Sequence, residues 1–360
     1  MVQVFYIREW DEKFWFNTGG TRAKKYVERP DGKHYYYKRS EYKSATETKL
    51  EKDYRFEFWS EIIAFHVGTL LGFDVLRYDI AIDGKIAGCI CEDMIKAEKE
   101  QLIEGVKYLQ GFDNEFNPED KKKRSQYSFQ LIEAALDNYR IGHFKKNIVE
   151  MIVFDAIIGN VDRHQENWAI VSEFPKIVKR LTWVEKILNQ LIKQYPHKKW
   201  PKFLKKEIAK IYDFEKQRLK EKIKDAMLVA GKLRFAPFYD NGSSLGRELT
   251  ENRITVLLTD KNQINKYIDN GSAEIHWNNE KISHYDLVEN LLATNYKTEV
   301  INCIKTVKGK FDESEIARMI DQIDAVLPES HADYKLSNGR KELITKLVTL
   351  RAQKLFTYLG

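Results

Sequence analysis

The chain has 360 residues, 32% of them charged and 43% hydrophobic, with a formal net charge of +6. That is the balance of an ordinary soluble chain, and the length supplies one large core or two modest ones. It contains no apolar run of about eighteen residues, so no transmembrane helix is expected, and the early Arg8 and Glu9 do not fit a signal peptide.

Residues 1–95 read mainly as strands and turns. Val2 to Ile7 is rich in β-formers, and Phe14, Trp15 and Phe16 run into a turn from Asn17 to Lys25. A second turn, Pro30-Asp31-Gly32-Lys33, leads into an aromatic strand, His34 to Lys38. From Asp53 to Leu71 the period changes: Phe56, Trp59, Ile63, Val67 and Leu70 recur at helical spacing before Gly72. Strands at Val75 to Ile82 and Ile86 to Cys91 follow, joined by a hairpin turn at Asp83-Gly84. Cys89 and Cys91 are read as facing opposite sides of that strand, and with Cys303 they give no even disulfide framework. Beyond Glu92 the pattern is mostly helical to the end. The predicted fold class is therefore α+β and bilobal, protein-kinase-like. Its small β-rich lobe spans residues 1–95, and its larger helical lobe, residues 96–360, includes a basic helical insert at about 173–230.

Two segments carry chemistry. Asp162-Arg163-His164 is followed by Asn167, and Ala236-Pro237-Phe238-Tyr239-Asp240 comes later, each after an apolar run. Phosphoryl transfer from ATP needs a carboxylate to orient the attacking hydroxyl and take its proton, and oxygen ligands for Mg²⁺. Asp162 is the candidate base, and Asn167 and Asp240 are the candidate metal ligands. In the small lobe, adjacent Gly19 and Gly20 let the backbone approach phosphates, with Thr21 and basic residues beside them. Lys38 on the aromatic strand would reach the phosphates, and Glu61 on the helix would pair with it.

The inverted order Asp-Arg-His, together with Ala-Pro-Phe-Tyr-Asp, resembles the HipA-like serine/threonine kinases of bacteria, in particular short single-domain members of the Helicobacter cell-translocating type. The resemblance spans roughly residues 15–250. Gly19 to Lys24 looks like that family's phosphate loop, and Glu61 to Val75 is similar to its helix and exit. Ile90 to Met94 looks like the segment joining the lobes, so Glu92, Asp93 and Met94 would line the adenine side. What the resemblance implies is an ATP- and Mg²⁺-dependent protein kinase acting on Ser or Thr. It also implies a toxin or effector role against a translation component, with an antitoxin or an acidic protein as a candidate partner; the three cysteines point separately to a reduced, cytoplasmic chain. The Asp-Arg-His order also permits a phosphatidylinositol-like or small-molecule kinase.

Lys176 to Lys224 holds sixteen Lys/Arg against five Asp/Glu, a local net of +11, so the rest of the chain sums to −5. The segment reads as a helical hairpin with a solvated basic face. Its other reading is a patch for nucleic acid or an acidic protein partner, which even an inactive kinase fold could use. Past residue 250 the segments around His276-Trp277 and Ser283-His284 read as turn and packing elements.

Overall fold

A computed structural model describes residues 2–14, 24–40, 42–43, 52–53, 55–96, 99–173, 205–208, 210, 214 and 232–360. The predicted phosphate loop and most of the basic insert lie outside the described residues.

The first strands are Val4–Tyr6 (β1), Asp11–Glu12 (β2), Lys24–Glu28 (β3) and His34–Arg39 (β4). Tyr42–Lys43 (β5) and Lys52–Asp53 (β6) pair separately, and the helix Glu57–Leu71 (α1) precedes Asp79–Asp83 (β7) and Ile86–Glu92 (β8). Six of these strands form one sheet in the order β1-β7-β8-β4-β3-β2, antiparallel except for β1 against β7. Alternation along β4 assigns its side chains. Tyr35 and Tyr37 bury with Val27 and Ile90 on one face, which leaves Tyr36 and Lys38 on the other. Cys89 and Cys91 both belong to the core shared with α1 while Ile90 does not. Side chains two apart on a strand share a face, so the expectation of opposite faces is corrected. The strand expected from Val75 starts at Asp79, because Val75 is taken by an isolated bridge to Phe238.

The helix α1 buries Phe58, Trp59, Ile62, Ile63 and Val67, residues three to four apart, against this sheet and the lobe below. The second lobe opens with Glu100–Glu104 (β9), Gly105–Phe112 (α2), Phe129–Asn138 (α3) and Lys145–Ile158 (α4). Ala169–Glu173 (β10) and Leu233–Phe235 (β11) complete a three-stranded antiparallel sheet with β9. Glu251–Thr259 (α5), Lys261–Asp269 (α6), His284–Leu292 (α7), Lys297–Lys310 (α8), Glu313–Asp321 (α9) and Asn338–Phe356 (α10) follow. Ser283 and Asp286 form a capping box on α7, with His284 buried inside it. All eight residues from Met151 to Ile158 are buried, and all but Asp155 are apolar, so the second half of α4 is enclosed on every side and central. It packs against α7, α8 and α10.

The end of α4 aims the next loop. Gly159 adopts φ +65°, and the Arg351 guanidinium from α10 lies 2.2 Å from where a Cβ would stand while donating to the Ile158 carbonyl at 2.9 Å. The chain can therefore leave the helix sharply at residues 160–167. Farther along, Trp168 is wedged over Gly105, where an added Cβ would meet the indole at 2.1 Å. The indole stacks near Tyr108 and Phe235 and donates to the Tyr127 hydroxyl at 3.0 Å, so it has little room to yield. Gly105→Ala is expected to cost about 1–3 kcal/mol by overpacking. An unchanged midpoint in urea unfolding would contradict this account of the Trp168 seat.

Candidate active site

Four pieces of chain converge between the lobes: β4 with Lys38, α1 with Glu61, the loop 160–167, and the segment 236–243. Lys38 Nζ lies 2.5 Å from Glu61 Oε1 and 2.8 Å from Asp240 Oδ1, with the Tyr78 ring 5.3 Å away. The second Glu61 oxygen accepts the Asn241 backbone N–H at 2.7 Å. Glu61 is thus deeply buried yet has a donor at each oxygen.

The helix that carries Glu61 is tied to the second lobe through its first turn. Ser60 donates to the Ser244 carbonyl at 3.1 Å, Glu57 takes Arg247 at 2.7 Å, and the Trp59 indole donates to the Tyr334 carbonyl at 2.7 Å.

Asp240 stands at φ +58°, a left-handed conformation that is uncommon outside glycine. Burial works against its charge, but the ammonium groups of Lys38 and then Lys24 overcome that and hold its carboxyl well below the usual carboxylate range. For Lys38, burial would lower the pKa, yet Asp240 and then Glu61 prevail and hold it above the ordinary lysine value. Both groups are therefore charged near neutrality.

Lys24, one of the basic residues beside the Gly19-Gly20 turn, has a specific partner that the sequence does not reveal. It opens β3 directly opposite Lys38, and its Nζ is 3.6 Å from Asp240 Oδ2. Two like charges opposite each other on a ladder repel; here Asp240 lies against both. The signal that could have found Lys24 is the pairing register of two strands across a turn, which periodicity alone does not give.

On the loop, the Asp162 side chain is exposed and accepts from Ser243 Oγ at 3.3 Å, and its backbone N–H donates to Asn160 Oδ1 at 3.2 Å. Asn167 is buried and donates through Nδ2 to the Asp162 carbonyl at 2.7 Å, so its Oδ1 is left as the free acceptor end. The Glu166 backbone N–H donates to His164 Nδ1 at 3.3 Å, a loop-supporting contact. Arg163 is buried behind the loop and joins it to Tyr239 and Asn241.

The remaining predicted residues lie where β8 leaves the sheet. Glu92 takes Lys33 at 3.0 Å, the Asp93 N–H donates to the His34 carbonyl at 2.8 Å, and the Met94 carbonyl accepts Arg234 at 2.7 Å. The Met94 side chain packs with Ala169, Val171, Ala236 and Tyr239 in an apolar patch that adjoins Asp240 in sequence. Gly19, Gly20 and Thr21 lie outside the described residues. Among the described residues no helix is long and apolar enough to cross a membrane.

No family model matches the chain, and none of the curated proteins does. Among solved structures, the chain is similar to a Helicobacter pylori proinflammatory kinase, CtkA, with a TM-score of 0.64 and 16% identity, covering 99% of this chain and 97% of that one. A weaker match is HipA of Shewanella oneidensis, solved with HipB and operator DNA, at TM-score 0.42 and 11% identity over 98% of this chain and 67% of that one. The likeness to CtkA over nearly the whole of both chains shows that this chain has a bilobal kinase fold.

Proposed function

We propose that this chain is a protein kinase that transfers the γ-phosphoryl group of ATP to a Ser or Thr hydroxyl. The observation that carries the proposal is the position of Lys38, bonded at once to Glu61 and Asp240. In phosphotransferases of this fold a strand lysine, a helix glutamate and a metal-binding aspartate must be in place together.

Asp162 orients the acceptor hydroxyl and takes its proton as the oxygen bonds to the γ-phosphorus. The bond to the β–γ bridging oxygen breaks in the same step, and ADP leaves. The donor set suits Mg²⁺: an ionised Asp240 carboxylate and the Asn167 amide oxygen are hard ligands, and such ions are completed by substrate phosphates and water. When bound, the ion would neutralise charge on the phosphates. Among the described residues no cluster of three or more His, Cys, Asp or Glu side chains could hold a metal ion alone. Lys38 and Lys24 would face the phosphate oxygens, and the apolar patch around Met94 would seat the purine beside Glu92 and Asp93.

If Lys24 is a second phosphate contact, Lys24→Ala should raise the KM for ATP about tenfold, the loss of one charged hydrogen bond of about 1.5 kcal/mol. An unaltered KM would remove Lys24 from the site.

The proposal is tested by incubating the chain with labelled ATP and Mg²⁺ alongside dephosphorylated casein, phosphatidylinositol vesicles and a set of small alcohols. Label on protein Ser or Thr is expected. Label on lipid or small alcohol alone would move the chain to the other kinase classes, and label nowhere, self-phosphorylation included, would count against transfer.

A further inference from the structure

Arg163 is 1% exposed and spends its guanidinium on more than a salt bridge. One edge meets Asp155: Nε lies 2.9 Å from Oδ2 and Nη2 2.8 Å from Oδ1. The other edge reaches the two motif segments. Nη1 donates to the Asn167 carbonyl at 3.0 Å and to the Tyr239 carbonyl at 2.5 Å, and Nη2 donates to Asn241 Oδ1 at 2.6 Å. A single planar group thereby joins the loop that carries Asp162 and Asn167 to residues 239 and 241.

Those last two bonds bracket Asp240, the residue held at φ +58°. A left-handed conformation is strained for a non-glycine residue and persists only where its surroundings fix it. The fixing bonds fall on either side: Arg163 holds the preceding carbonyl and the following side chain, and the Asn241 N–H is held by Glu61 at 2.7 Å.

We propose that Arg163 is a positioning residue that locks Asp240 in its left-handed conformation and sets its place relative to Asn167, so that metal-dependent nucleotide binding depends on it. The proposal rests on the phosphotransfer reading above. Fold stability alone does not account for the arrangement. A buried ion pair can often be replaced by apolar side chains at no net cost, and an Arg163–Asp155 pair has no need of three further oxygens in the two motif segments. Lysine is no substitute, because a single ammonium on a flexible stem cannot span four partners in a fixed plane.

The test is calorimetric titration of ATP with and without Mg²⁺ into the wild-type chain, Arg163→Lys and Asn241→Ala, with thermal unfolding as the check on folding. Asn241→Ala removes one of the two bonds flanking Asp240, leaves no charge without its counter-ion, and keeps the backbone bond to Glu61. In Arg163→Lys the gain in affinity that Mg²⁺ confers should fall about tenfold or more, with kcat, while Mg²⁺-free affinity stays within about twofold. Asn241→Ala should show the same signature, smaller in size. Two folded variants that keep the full Mg²⁺ gain would overturn the proposal, as would equal losses with and without Mg²⁺, the mark of a merely structural role. If Arg163→Lys does not fold, Asn241→Ala decides. A wild-type chain that binds no nucleotide under either condition would overturn the phosphotransfer reading itself, and the role of Arg163 with it.

Discussion

Asp162→Asn is expected to lower phosphoryl transfer by about 10²–10⁴-fold, the usual contribution of a positioned general base, while leaving Mg·ATP affinity close to wild type. The separation follows from where the charges lie. The Asp162 side chain is exposed, with Ser243 at one oxygen, and stands outside the cluster of Lys38, Glu61, Lys24 and Asp240. Asp240→Asn should instead weaken metal-dependent nucleotide binding as well as transfer, because it removes the charged member of the proposed ligand pair. The two variants also differ in acid. The folded-state pKa of Asp240 is depressed, so its charge adds stability above the unfolded value of about 3.9 and loses it as pH falls through the folded value. The gap in stability between wild type and Asp240→Asn should therefore be full near neutrality and shrink below about pH 4. Nucleotide calorimetry, a transfer assay and unfolding at several pH values check all of this. Full activity in Asp162→Asn would end its assignment as the base.

What could be read from the sequence was whatever repeats locally. The aromatic content of His34 to Lys38 and the helical period from Phe56 to Leu70 are local features of the chain, and they put Lys38 and Glu61 on elements that meet. The motif segments were legible because Asp162 and Asn167 share one loop. The role of Lys24 was not, since it depends on the register Lys24↔Lys38 across residues that carry no periodic signal. Nor was the linkage through Arg163, whose partners at positions 155, 167, 239 and 241 are brought together by tertiary packing. The start of β7 fails for a similar reason: Val75 has the composition of a strand residue but is drawn to Phe238 on a distant segment. Lys38, by contrast, meets Glu61, the partner expected of a strand lysine in phosphoryl transfer, and a second one, Asp240, from 202 residues away.

Lys38→Met is expected to destabilise the fold by about 3 kcal/mol, besides abolishing transfer. Removing one partner of a buried ion pair typically costs about 3–5 kcal/mol, because the other charge stays buried without compensation. The lower end applies here, since the Lys38 side chain keeps 16% of its exposure against 2% for Glu61. With the ammonium gone, Glu61 retains the Asn241 N–H, and Asp240 retains Lys24 at 3.6 Å. Glu61→Gln should be milder, because it leaves no buried charge, its amide oxygen still accepts from one of the two donors, and Lys38 keeps Asp240; the cost that remains is the amide NH2 facing the other donor. The double variant, Lys38→Met with Glu61→Gln, buries no unpaired glutamate charge. It should be more stable than the sum of the single losses, by a coupling of about 0.5–3 kcal/mol. Urea unfolding of the four proteins measures that coupling directly. Strict additivity would mean that the two side chains do not depend on each other, and the short Lys38–Glu61 contact would then lose its place as the centre of the site.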